Sequence, residues 1–434
     1  MNEQNLGYTP EQYRKFKRHG WIYLLMFSFL YCTHYCTRLN LSNASAVMIA
    51  ELGWTTADIG ILTGTLFWTY GFGHLINGRL SEIFGPHRFV ILAVILSVAA
   101  NLLMGFQSSL LVMALLWGLN GYFQSMAWSP GIATLTSWWP GNTRGFATGF
   151  ANAFSGFGQV VATLAVTLAV TVMPAAGWRA AFWIPTAFPI VMLVFFVIFA
   201  KPTPQSAGLP EYKEEDQERA KNEAEMKKMF QGKGKLYPYL YLLSNPQFVV
   251  WMIVIFIAGL ARYGLVTWIP LYFTDVFQVE VTDGLLQSLA LPVGMGIGTL
   301  VVPWLTDRFC PNNRLSAVVI SAAVGAVAIG VFFLLDPRIP VQLVLIEVLL
   351  FVAGFCIYAI NGTCWAYATD VGGRVLSGTS AGILDFAAYM GAAVQSIMYG
   401  FLLQSGGWNV VFLSIAAFCL LMAVLGIVES RKRK

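Results

Sequence analysis

Twelve stretches of this chain are apolar enough and long enough to cross a bilayer as helices. They lie near 21–49, 57–78, 88–107, 109–138, 145–173, 178–200, 247–271, 284–306, 315–335, 341–369, 376–404 and 408–428. The pattern predicts an all-α membrane protein of twelve transmembrane helices. Between the sixth and seventh stretches the pattern changes. Residues 201–235 contain KEEDQERAKNEAEMKKM, which is polar and helix-prone, with no apolar stripe wide enough to form a core. The chain therefore divides into a six-helix bundle over 1–200, a cytoplasmic linker over 201–240 and a second six-helix bundle over 241–434. Composition agrees: 57% of residues are hydrophobic and 11% charged, where soluble domains carry about 25% charged residues.

Charge adds an orientation. Arg14, Lys15, Lys17, Arg18, Arg79, Arg88, Arg144, Arg308, Arg314, Arg374, the linker and the terminal Arg431–Lys434 fall on one side of the membrane, and only Arg179 and Arg338 on the other. Lys and Arg collect in cytoplasmic loops, so both termini are expected inside a plasma (inner) membrane. The net charge of +5 thus belongs to loops and does not point to a nucleic-acid partner. Trp21–Ala50 follows a basic N-terminus as a signal peptide would, but it is too long and carries Arg38, so it reads as a retained helix.

The two halves echo each other. GWRAAF at 177–182 returns as GWNVVF at 407–412, and GRLSEIFGPHR at 78–88 as TDRFCPNNR at 306–314. Arg144 opens the fifth span as Arg374 opens the eleventh, and Arg38 in the first span is matched by Arg262 in the seventh. The offset drifts only between 224 and 230 residues. Such a series implies a duplicated bundle with a pseudo-twofold axis along the membrane normal.

Arg38 is the residue that most needs explaining, because a charge at membrane depth costs at least about 2.5–3.5 kcal/mol. It has no acid in its own helix. It could snorkel, pair with a distant carboxylate or line an anion site. Tyr31, Tyr35 and Arg38 stand at i, i+4 and i+7 and would share one helical face. The duplication puts Arg262 opposite, so two guanidiniums are expected to face a common cavity, where a phosphate dianion would offset both. Glu82 with Arg144, and Asp307 with Arg374, are candidate gating pairs across the cytoplasmic helix ends. His74 shares a face with Tyr70, and Asp385 with Tyr389. Asp385 could carry a proton, balance an arginine in the empty site or make a helix–helix hydrogen bond.

Other chemistry finds no support. Cys32, His34 and Cys36 lack a second ligand pair, so no metal is expected, and the six cysteines imply no disulfide framework. GMGIG at 294–298 lies inside a span, and the GKGK at 232–235 lacks P-loop spacing. There is no Ser-His-Asp grouping, HExxH or CxxC, so neither an enzyme nor a cofactor is expected.

Several motifs together resemble the organophosphate:phosphate antiporters of the major facilitator superfamily. They are YCTHYCTRLN in the first span, WTYGFGHLINGRLSEIFG in the second, WGLNGYFQSMAWSPG in the fourth, WWPGNTRGFATGFANAFSGFG in the fifth, ARYGLVTWIPLYF in the seventh and DVGGRVLSGTSAGILDFAAYMGA leading into the eleventh. The resemblance covers nearly all of the chain outside the linker. It implies phosphate-gripping roles for Arg38 and Arg262, and site roles for Tyr31, Tyr35, Tyr70, Tyr358, Tyr389, Asn152 and Trp128. Two positions depart from the glycerol-3-phosphate members: His74 stands where they have a lysine, and Ser155 where they have a histidine. The implied activity is exchange of an organophosphate (sugar phosphate, glycerol phosphate or phosphoglycerate) for inorganic phosphate by a monomer in the bilayer. A proton-coupled symporter of non-phosphorylated anions and a transporter-like sugar-phosphate sensor are the alternatives.

Overall fold

The computed structural model describes residues 7–139, 141–210, 228–230, 232–234, 236–277, 280–309, 314–335 and 339–431. Every extended element among them is a helix. Large apolar side chains cover the exterior, and polar ones are gathered inside. Leu111, Ile198 and Val341 are 71%, 57% and 81% exposed, while Asn40, Asn101, Asn120, Gln124 and Gln395 are fully buried. An apolar exterior with its polar groups kept inside is the arrangement that hydrocarbon solvent selects.

Nine helices among the described residues are long and apolar enough to cross a membrane. The difference from twelve has a local cause at three places. The first pass is broken, the second (Thr56–Phe84) is rich in Thr, Gly, Tyr, His and Asn, and the last two, at the end of the helical stretch Pro340–Arg431, count as a single span over Thr379–Ser430. That stretch is folded back on itself. Ser380 Oγ donates to the Ala368 carbonyl at 2.7 Å, and Ser414 Oγ to the Tyr399 hydroxyl at 3.0 Å; neither bond can form along one straight helix. The second reversal occurs at Gly407, which has φ +66°. Its counterpart in the GWxxxF repeat, Gly177, has φ +57°. Both copies of the motif thus place glycine where other residues would be strained.

The break in the first pass sits at the arginine. Helix Pro10–His34 tightens into a 3-10 turn at Tyr35–Thr37, Arg38 is non-helical (φ −123°, ψ −45°), and the helix restarts at Asn40–Leu52. The single helical stripe expected for Tyr31, Tyr35 and Arg38 is therefore interrupted. Buried amides supply the hydrogen bonds that the helix gives up. The Thr37 carbonyl accepts from Asn101 Nδ2 at 2.9 Å and Asn120 Nδ2 at 2.8 Å. Gln124 Nε2 donates to Thr37 Oγ1 at 2.8 Å, and Asn40 Nδ2 reaches both Asn101 Oδ1 (2.8 Å) and the Ala181 carbonyl (3.1 Å). Three neighbouring passes thus hold an irregular backbone that lipid would not tolerate. Arg262, by contrast, lies within the continuous helix Pro246–Phe277.

The second pass and the stretch after Asp385 press together without a side chain between them. A Cβ on Gly60 would collide with the Ser396 carbonyl and come within 3.2 Å of Gly400 Cα. This contact closes the interior at the face remote from the chain termini.

Candidate functional site

The described side chains line a partly open cavity with about 370 Å³ of empty space, a figure that includes space open to solvent. Ten of the twelve residues expected to bind substrate line it: Tyr31, Tyr35, Tyr70, Trp128, Asn152, Ser155, Arg262, Tyr358, Asp385 and Tyr389. They come from the first, second, fourth, fifth, seventh, tenth and eleventh passes, so both halves of the chain contribute. Arg38 and His74 stand one side chain behind the wall. Arg38 points its two terminal nitrogens at wall phenols, NH1 to Tyr389 at 3.4 Å and NH2 to Tyr31 at 3.5 Å. Both are longer than a good N–H···O bond.

The two arginines are 3% and 6% exposed, yet neither has a carboxylate within ion-pair distance among the described residues. Aromatic faces take that place. The Arg38 guanidinium lies 4.2 Å from the Tyr35 ring centre and 4.9 Å from that of Tyr70; Arg262 lies 4.0 Å from Tyr358 and 4.5 Å from Tyr263. Ring faces stabilise a cation by about 0.5–2 kcal/mol, well below the several kcal/mol it costs to bury one. The Nε atoms of both arginines also lack a hydrogen-bond partner. The site is therefore positive and under-satisfied, a condition an anion with several oxygens would relieve.

The remaining polar groups set the wall. Ser155 and Tyr358 share a 2.6 Å hydrogen bond across the fifth and tenth passes. Tyr70 packs on Tyr389 with ring centres 4.1 Å apart, and Tyr31 on Trp128 at 4.8 Å. Asp385 Oδ2 lies 3.6 Å from His74 Nδ1, joining the second and eleventh passes, while the His74 ring stacks on Tyr389 at 5.7 Å. Of the roles left open for Asp385, the geometry favours a polar contact with His74 over a salt bridge to either arginine.

Three site residues went unnoticed in the sequence. Asn361 and Trp365 line the cavity beside Tyr358; they follow it at i+3 and i+7, a polar face on an otherwise apolar span that the helical period could have shown. Tyr263 backs Arg262 and packs against Phe67 with ring centres 4.5 Å apart, and no spacing announces it. The side chains of Glu82, Arg144, Asp307 and Arg374 lie outside those the structure describes.

A family model described as Major Facilitator Superfamily matches residues 27–396. The chain belongs to that superfamily. Superfamily membership makes it a multi-pass membrane transporter and not an enzyme, with the all-helical fold of that superfamily. Among curated relatives, a probable hexose phosphate transport protein of Chlamydia pneumoniae is 26% identical over 404 residues, covering 91% of this chain and 87% of that one. The glycerol-3-phosphate transporter of Bacillus subtilis is 27% identical over 407 residues (91% and 88%), and the membrane sensor protein UhpC of Escherichia coli 25% over 419 residues (94% and 91%). A solved structure of a bacterial homologue of the human lysosomal transporter Spinster superposes with a TM-score of 0.74 at 15% identity, over 95% of this chain and 97% of that one. The organophosphate resemblance read from the span motifs is borne out by these relatives.

Proposed function

We propose that this superfamily member is an organophosphate transporter that exchanges its substrate for inorganic phosphate by alternating access. The observation that carries the reading is the pair of buried, carboxylate-free guanidiniums from the first and seventh passes, held on tyrosine faces beside one cavity. The names of the relatives support the substrate class. A phosphoryl group would take the unused donors of Arg262 directly. It would also replace the long phenol contacts of Arg38, drawing Tyr31 and Tyr389 with it. Obligatory exchange follows from electrostatics: an empty carrier would have to reorient around two uncompensated buried cations, whereas a loaded one would not. The charged helix ends, Glu82 with Arg144 and Asp307 with Arg374, are proposed as a latch on the cytoplasmic side, with both termini inside.

The test is reconstitution. Proteoliposomes loaded with labelled phosphate should release it when phosphate or a phosphorylated metabolite is supplied outside, and not when a non-phosphorylated carboxylate is. Uptake driven by a pH gradient without counter-phosphate would instead select proton coupling, for which the Asp385–His74 contact is the candidate relay. A sensor is the second reading, favoured by the similarity to UhpC; saturable phosphate-ester binding without flux would select it.

A further inference from the structure

A second cavity, with about 290 Å³ of empty space, lies on the side of the site away from the chain termini, between the first, fifth, seventh and eighth passes. Its chemistry differs from that of the first. No charged residue lines it. Its polar groups are Asn43, Gln159, Thr163 and Ser288, each at least 95% buried, set among Leu, Ile, Val and Pro side chains. Two of these polar groups already hold each other, Asn43 Nδ2 donating to Thr163 Oγ1 at 3.3 Å. Gln159 is different: its Nε2 is buried without a hydrogen-bond partner. A primary amide donor buried without a protein partner on a cavity wall is costly unless something that visits the cavity pairs with it.

The two cavities are joined through the fifth pass. Asn152, Ser155, Gln159 and Thr163 follow one another at i, i+3, i+7 and i+11, so they form one polar stripe along helix Gly141–Val172. Asn152 and Ser155 face the arginine cavity, Gln159 and Thr163 the second one. Ser155 and Gln159 are one turn apart, about 6 Å of rise. The first pass likewise lines both cavities, with Tyr31 and Tyr35 in the first and Leu39 and Asn43 in the second.

We propose that the second cavity is the subsite for the uncharged, hydroxylated part of the substrate, with the Gln159 amide as its specificity-determining contact. Amides and hydroxyls match the donors and acceptors of a polyol, and the Leu, Ile and Pro walls match its C–H faces. With the phosphoryl group on Arg262, a hexose phosphate has an organic part to extend toward Gln159, and inorganic phosphate has none. The inference rests on the organophosphate reading and deepens it.

The experiment compares two exchanges in proteoliposomes: phosphate against phosphate, and phosphate against a hexose monophosphate. Gln159→Leu should raise the KM for the hexose monophosphate at least tenfold while changing that for phosphate less than threefold. Thr163→Val, nearly isosteric, should act in the same direction by a few-fold. Phosphate self-exchange reports folding in each variant. Equal effects on both substrates, or no effect on the hexose monophosphate in either variant, would overturn the subsite while leaving the transport reading intact. Wild-type vesicles that exchange no phosphate at all would overturn the transport reading, and the subsite with it.

Discussion

Replacing Arg262 by lysine keeps the charge and removes the fork. Arg262 lines the cavity, is 6% exposed and has no carboxylate partner among the described residues, so a bound phosphoryl group would depend on its donors. A guanidinium grips two oxygens with parallel bonds, whereas an ammonium at the same place reaches one of them in good geometry. The loss is one charge-assisted hydrogen bond, about 1.5–3 kcal/mol, which corresponds to roughly a 10- to 150-fold weaker site at 1.4 kcal/mol per tenfold. Lysine also stacks less well than guanidinium over the Tyr358 ring, which Arg262 approaches to 4.0 Å. Arg262→Gln makes the contrast: it keeps a donor and discards the charge. The measurement is the KM for phosphate self-exchange in proteoliposomes, checked by phosphate-dependent thermal stabilisation in detergent. Both variants should be severely weakened, and inorganic phosphate and a hexose monophosphate should suffer alike, because the phosphoryl end is common to both. A lysine variant with near wild-type affinity for phosphate would refute bidentate recognition, and a defect confined to the organic ester would place Arg262 at the wrong end of the substrate.

Three further outcomes follow from particular contacts. Asp385 lines the same cavity as Arg262, so Asp385→Asn removes an acid that competes with a bound anion and should lower the KM for phosphate a few-fold; a higher KM would mean that the carboxyl group helps to hold substrate. Asn120→Leu removes one of two amides on the Thr37 carbonyl and should cost about 0.6–1.5 kcal/mol of stability, whereas the Asn101→Leu, Asn120→Leu double variant strips the carbonyl of both and should cost more than twice the single change in detergent melting. Arg144→Gln should raise the accessibility of cytoplasmic cysteine probes while leaving phosphate binding in place, and unchanged labelling would remove the latch.

The class of fold and the identity of the site were legible in the chain for different reasons. Spans can be read because lipid demands long apolar runs, and the repeat because two copies of one bundle keep landmarks such as GWRAAF and GWNVVF in register. Arg38 stood out because a charge in an apolar run is expensive. What spacing could not supply was the backbone around it. Tyr31, Tyr35 and Arg38 fit an ideal helical stripe, and nothing within YCTHYCTRLN marks where the helix stops. The break depends on Asn101, Asn120 and Gln124, which lie more than sixty residues away in two other passes. The same limit hid Tyr263, which matters only because Arg262 needs a ring to rest on and the eleventh pass brings Tyr389 within 5.6 Å of it.

The break also separates the two arginines that the duplication makes equivalent. Arg262 belongs to a continuous helix. Arg38 sits at the joint between two helical segments, outside regular hydrogen bonding on one side and tethered by long phenol contacts on the other. A ligand arriving at Arg262 could therefore draw Arg38 forward by small changes at one joint, without disturbing the seventh pass. On the proposed reading the two arginines would divide the work of binding: Arg262 would set where the phosphoryl group rests, and Arg38 would convert its arrival into movement of the first pass against the amides of the third and fourth. Symmetric sequence would then produce an asymmetric response, and the half that carries the broken helix would be the half that moves first.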